Sequence, residues 1–331
     1  MWWDGRVSAP ARRYVPKFDG FVVSILLAVV VASVLPAGGA VAVGFDWAVK
    51  VAIALLFFMY GGRLEPREAL AGLRHWRLHL VILSFTFVVF PIVGQVLRLL
   101  EGWLLPEVLL AGVLYLCVIP STVQSSIAFT SIAKGNVAGA IVSASASNLL
   151  GVALTPLLVV LTMNTAGEVA LHVGAVWDLV LQILLPFVAG QISRPWTAGW
   201  LLANKNWLKY VDRGIIVGVV YSAFSRGMRE GMWTLIGLRD LLVLLLIVLV
   251  VLAFMLWLTT ASARRLGFER GDRIAIQFCG TKKSLATGLP MALVLFPGQP
   301  VGLLVLPLML FHQVQLMACS VLASRYSREV P

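Results

Sequence analysis

Two adjacent lysines, Lys282 and Lys283, stand inside a run that is otherwise apolar enough to cross a bilayer. They belong to Gln277–Pro290, QFCGTKKSLATGLP, which also carries Gly280, Thr281, Ser284 and Thr287. A lysine near the bilayer centre costs about 3 kcal/mol on insertion scales, so it is rare unless it faces a cavity or works there. A second stretch, Cys117–Ser126 (CVIPSTVQSS), has the same form. An apolar approach meets Pro120, and Ser121, Thr122, Gln124, Ser125 and Ser126 follow. Thr281 lies 160 residues after Ser121 in a chain of 331. Two halves, each with one interrupted helix, are the pattern of a midplane site in a secondary transporter.

Each break has its own chemistry. Pro120 lacks an N–H and disturbs the turn before it. Backbone freed inside a membrane must be satisfied by neighbours, hydroxyls or cavity water. A proline kink patched by hydroxyls accounts for Pro120 and Ser121, while the further polar residues point to a binding site. At the second break, Gly280 and Thr281 permit an unwound turn. Adjacent helical residues diverge by about 100°, so helical backbone would turn only one lysine to a cavity. The other would snorkel to the interface or pair elsewhere. A later helix start, with both lysines at a membrane edge, and a re-entrant segment are the alternatives. A half-helix N-terminus near Ser284 adds positive dipole to the lysine charge, which favours an anion.

The elements that position these residues are membrane helices. The chain is 60% hydrophobic and 12% charged, with a mean hydropathy of +0.94. Soluble domains carry about 25% charged residues. Ten spans of about 17–25 residues can be drawn, at roughly 19–36, 45–62, 77–99, 105–133, 136–162, 172–193, 208–226, 236–261, 272–296 and 300–324. Pro36 with Ala37–Ala40 ends the first, and Gly61–Gly62 the second. With both ends in the cytoplasm, 19 of 26 basic residues fall inside and five outside, the two lysines of the break being the rest. The net charge of +11 therefore reads as positive-inside loops and not as a nucleic-acid surface. Arg12, Arg13 and Lys17 before Phe21–Leu35 resemble a secretory leader, but a first transmembrane helix is the better reading.

Other polar groups are few. Gly135, Gly139, Ser143 and Ser147 recur every four residues along the fifth span, a face for close helix contact, and Asn148 beside it can reach the cavity. Thr86, Gln182, Gln191, His312, Gln313 and Gln315 read as interhelical hydrogen bonds. Cys117, Cys279 and Cys319 have neither metal spacing nor an even count for a disulfide framework. No hydrolytic or nucleotide motif is present, so the chain does not read as an enzyme and no cofactor is expected.

At the two breaks the chain resembles the bile acid:sodium symporter superfamily. It looks most like the branch holding the seventh member of solute carrier family 10 and its bacterial relatives. QSSIAFTSIAKGNVAGAIVSASASNLLGVALTPLL (124–158) and IQFCGTKKSLATGLPMA (276–292) carry the resemblance, with FFMYGGRLEP (57–66) and FHQVQL (311–316) in support. It implies an all-α polytopic fold of ten transmembrane helices as two inverted five-helix repeats, residues 1–162 and 163–331. The broken helices 4 and 9 would cross near the midplane. Helices 1, 2, 6 and 7 would form a panel domain and helices 3, 4, 5, 8, 9 and 10 a core domain. The setting implied is a bacterial inner or plasma membrane.

The departures bear on coupling. In sodium-coupled relatives a glutamate opens the second-break motif; that position is Gln277 here, and a glutamine four residues on is Thr281. A Ser-Asn pair falls on Ser126 and Ile127, polar positions of helix 5 on Ala140 and Ala144, and a helix 3 glutamine on Thr86. A hard cation needs oxygen ligands and negative charge, and most are missing. The expectation is a secondary transporter of a small organic anion, a bile-acid-like steroid being one candidate. The ammonium of Lys282 or Lys283 would replace a bound sodium. A sodium symporter with rearranged ligands and a non-transporting regulator of calcium handling are the other readings. Substrate and oligomeric state are not legible.

Overall fold

The computed structural model describes residues 20–63, 75–99, 103–163, 173–229, 231 and 234–329, and among these every regular element is helical. The leader-like basic residues, the linker residues 164–171 and His172 lie outside them, as does the Gln182 side chain. Helix α1 is Gly20–Val34 and α2 is Gly39–Arg63. Helix α3 is Trp76–Arg98, with a π-helical turn at Phe85–Val89. The fourth expected span is two helices, α4 (Glu107–Val118) and α5 (Gln124–Ile132). Then come α6 (Val137–Met163), α7 (Val173–Ala203), α8 (Lys205–Arg229) and α9 (Leu238–Arg265). The ninth span is also two helices, α10 (Arg270–Thr281) and α11 (Leu285–Leu295), and α12 is Val301–Arg328. Five of the described helices, α2, α3, α6, α9 and α12, are long and apolar enough to cross a membrane; α1 and α4 contain shorter apolar helices.

Several expected boundaries move, each for a local reason. Gly39 takes a left-handed φ of +56° and starts α2, so the small residues after Pro36 are only a brief turn. The end expected near residue 193 is passed: α7 runs through Pro186 and Pro195 to Ala203, and Asn204 alone separates it from α8. Gly61 and Gly62 lie inside the last turn of α2, where they serve packing. A Cβ on Gly61 would strike the Phe187 carbonyl, and one on Gly190 would strike the Phe58 carbonyl. The two glycines let the backbones of α2 and α7 touch. Helix α1 packs on α8, and α8 on α2.

The other helices hold the breaks. Helix α12 packs on α4 and α9, α3 on α4, and α9 on α10. The small-residue stripe on α6 does the work its spacing predicts, and it runs further than expected. A Cβ on Gly139 would come within 2.6 Å of the Leu78 side chain. One on Gly151 would come within 2.6 Å of Pro120. Between them, Ser143 meets His79 Nδ1 at 2.7 Å and Ser147 Oγ accepts from the Ser121 N–H at 3.0 Å. The same period reaches Thr155, whose hydroxyl donates to the Val118 carbonyl at 3.1 Å. One face of α6 is therefore the bed on which the first break lies.

Candidate functional site

A broken helix leaves carbonyls without helical partners, and in a dry interior each needs another donor. Helix α4 ends with Ile119 extended (φ −78°, ψ 158°), and α10 ends with Lys282 extended (φ −88°, ψ 151°). The two breaks satisfy each other. Ser284 N–H donates to the Pro120 carbonyl at 2.9 Å. Ser121 Oγ donates to the Cys279 carbonyl at 2.6 Å, and Ser126 Oγ to the Phe278 carbonyl at 3.2 Å. Asn148 Nδ2 donates to the Ser121 carbonyl at 2.7 Å, while its Oδ1 accepts from Thr287 Oγ1 at 2.8 Å. Tyr115 OH reaches across from α4 to the Gly288 carbonyl of α11 at 2.6 Å. The hydroxyls, placed in sequence as candidate ligands, are spent first on joining the two breaks.

Lys283 completes that joint. Its Nζ donates to the carbonyls of Ile119 at 2.8 Å, Thr86 at 3.0 Å and Cys117 at 3.1 Å. It also lies 4.1 Å from the ring centroid of Phe90. Each acceptor is free for a reason. Cys117 and Ile119 sit at the end of α4. In the π turn of α3, Phe90 N–H bonds the Phe85 carbonyl. Continuing that register would pair the Thr86 carbonyl with residue 91, which is proline and has no N–H. The main chain of Lys283 is held as firmly. Its N–H donates to Gln315 Oε1 at 2.9 Å, and Gln315 Nε2 donates back to its carbonyl at 2.9 Å.

Lys282 is the opposite case. Its side chain is also fully buried, yet Nζ has no hydrogen-bond partner. It faces the rings of Phe129 at 3.8 Å and Phe278 at 5.6 Å. The buried thiols of Cys279 and Cys319 lie near it. Neither lysine snorkels. The expected 100° divergence fails because the backbone at Lys282 is extended, which sends successive side chains to opposite sides.

The remaining candidates divide. Thr122 Oγ1 lies 2.7 Å from Ser125 Oγ and 3.0 Å from Ser126 Oγ. Ser284 caps α11, accepting from the Thr287 N–H at 3.2 Å. Gln124 is exposed and outside this network. Gln277 Nε2 donates to the Leu256 carbonyl at 3.3 Å. The hydroxyls of Thr281 and Thr86 donate to carbonyls of their own helices, at 2.6 and 3.0 Å. Thr86 thus serves the site through its carbonyl. Ile127, Ala140 and Ala144 offer no side-chain ligand atom, and position 277 holds an amide in place of a carboxylate. Gln315 and Ser147, read in the sequence as an interhelical bond and part of a packing face, belong to the site, and so do Thr155 and Tyr115, which carried no signal there. Their partners lie 26–173 residues away in sequence.

The sequence profile of the SBF-like CPA transporter family matches residues 19–328. An uncharacterised protein of Pseudomonas aeruginosa is 51% identical over 316 residues, 95% of each chain. YfeH of Escherichia coli, named as a candidate symporter, is 48% identical over 311 residues, 94% of this chain and 93% of its own. Sodium/bile acid cotransporter 7 of Mus musculus is 33% identical over 275 residues, 82% of this chain and 81% of its own. With its long apolar helices and a family match over nearly its whole length, the chain is a membrane transporter and belongs to the SBF-like CPA transporter family, of the bile acid:sodium symporter type.

Proposed function

We propose that the protein is a secondary active transporter of a small organic anion, working by alternating access, with Lys283 as a tethered cation in place of bound sodium. One observation carries the reading: an ammonium donates to three carbonyls freed by a helix end and a π turn. Unwound carbonyls and half-helix C-termini coordinate sodium in other transporters. Here a covalently attached charge fills that role. The N-termini of α5 and α11 lie beside the joined breaks and present the positive ends of two helices, with Thr122, Ser125, Ser126, Asn148 and Ser284 around them. The unpartnered charge of Lys282 adds to that field. A carboxylate or sulfate on an apolar body, such as a bile-acid-like steroid, matches it.

Two inverted five-helix repeats underlie this scheme, with both termini cytoplasmic. Helices α2 and α8 support it. Each carries an aspartate and then an arginine, and each pairs with the other: Arg226 with Asp46 at 2.8 Å and Arg63 with Asp212 at 2.5 Å. That reciprocity is what an inverted repeat relating α2 to α8 would give. The panel is α1, α2, α7 and α8, and the core is the rest.

Thermal melting of purified protein in sodium and in potassium, with and without a bile salt, tests the reading, because a ligand raises stability with occupancy. The expected result is stabilisation by the anion that is the same in both cations and is lost in Lys282→Ala. Stabilisation that requires sodium sinks it.

A further inference from the structure

A groove of about 300 Å³ lies between α9, α10 and α12, apart from the joined breaks. Leu256, Trp257, Thr260 and Ala261 of α9 line it, with Leu322 of α12, and Gln277 borders it. Leu256, Thr260 and Arg264 recur every four residues, so the stripe extends about 12 Å along the helix at 1.5 Å per residue. It ends at Arg264, which is exposed in the last turn of α9. Helix α9 is the most hydropathic of the long apolar helices, and Trp257 is 60% exposed. The groove therefore opens onto the hydrocarbon of the bilayer, and its basic end lies toward the headgroups.

We propose that this groove is a binding site for an anionic phospholipid, with one acyl chain along the α9 stripe and the phosphate on Arg264. An acyl chain seated along the apolar lining gains dispersion contacts with it. A guanidinium pairs with phosphate oxygens bidentately. The lipid lies over a joint that matters. Gln277 ties α10 to the Leu256 carbonyl of α9 at 3.3 Å, and α10 leads directly into the second break. The bound chain braces α9 against α10 about one turn before the break. Nothing in this site depends on the identity of the transported substrate.

The test uses the purified full chain in detergent, titrated with phosphatidylglycerol, phosphatidylcholine or inorganic phosphate and read by native mass spectrometry. The proposal expects retained phosphatidylglycerol, with phosphatidylcholine weaker by about fivefold, the worth of one basic residue at an anionic headgroup. Arg264→Gln should weaken phosphatidylglycerol by a similar factor. Arg265→Gln, the same charge change outside the groove lining, should leave it unchanged. Ala261→Trp should fill the groove and remove the bound lipid. Equal retention of the two lipids overturns the proposal. So does an Arg265→Gln loss equal to that of Arg264→Gln, or displacement of the lipid by inorganic phosphate alone. Arg264→Gln alters an exposed side chain, so its result decides even where Ala261→Trp does not fold.

Discussion

Lys282 and Lys283 are neighbours in sequence, equally buried, and opposite in circumstance. Lys283 has three carbonyl acceptors and an aromatic face. Lys282 has aromatic faces only. Burial by itself does not say what a charge is for; the acceptors around it do. A buried ammonium whose donors are all used is part of the architecture. One whose donors are unused destabilises the fold that holds it, and a site that keeps it gains something other than stability.

The sharpest way to break this contrast is to remove each charge while keeping most of the volume. Lys283→Met would strand the carbonyls of Thr86, Cys117 and Ile119. Each buried acceptor left unsatisfied costs about 1–3 kcal/mol, and three are left at once, so the melting temperature should fall steeply or the protein should not accumulate. A melting temperature close to wild type would mean that these carbonyls have other donors. Lys282→Met should do the reverse. Burying a charge without a partner is costly, and an apolar side chain of similar volume removes that cost. The melting temperature should rise while anion-dependent stabilisation disappears. A fall would show that Lys282 has a partner in solution.

This contrast was only half legible in the sequence. Both breaks were, because Pro120 and the polar runs interrupt segments that are otherwise apolar; Gly280 and Thr281, expected to unwind, stay inside α10, and the break falls just after them at Lys282–Ser284. So was the packing face of α6, since small residues every four positions fall on one side of a helix and let a neighbour approach closely. Which lysine does what was not. The side-chain directions follow from an extended backbone at Lys282, a position the sequence left open between a helical and an unwound turn. The acceptors of Lys283 come from α3 and α4. The one local hint was Pro91, five residues after Thr86, which leaves that carbonyl without an N–H in a π turn. Gln315, 32 residues beyond Lys283, carries no pattern that marks it as the main-chain clamp.

The joint between the breaks gives a smaller effect. Ser121→Ala leaves the Cys279 carbonyl without the hydroxyl that now meets it at 2.6 Å. A buried acceptor left unsatisfied costs about 1–3 kcal/mol. The melting temperature should drop by less than in Lys283→Met. Asn148→Ala should resemble it, because the amide links the Ser121 carbonyl to Thr287. An unchanged melting temperature in both would mean that the breaks are held apart from one another in solution.

The smallest effect tests Lys282 most directly. If its ammonium is charged in the folded protein, the ring of Phe129 at 3.8 Å is its main attraction. Phe129→Leu then removes both apolar area and a cation–π contact. In the Lys282→Met background it removes the area alone. A double-mutant cycle isolates the difference, on the order of 1 kcal/mol for a contact between the exposed and desolvated limits. Coupling of that size and sign would place a real charge in the aromatic box, held there without a counterion. Zero coupling would mean that Lys282 sits neutral among Phe129, Phe278 and the two thiols, and that the anion must find its positive field in the ends of α5 and α11.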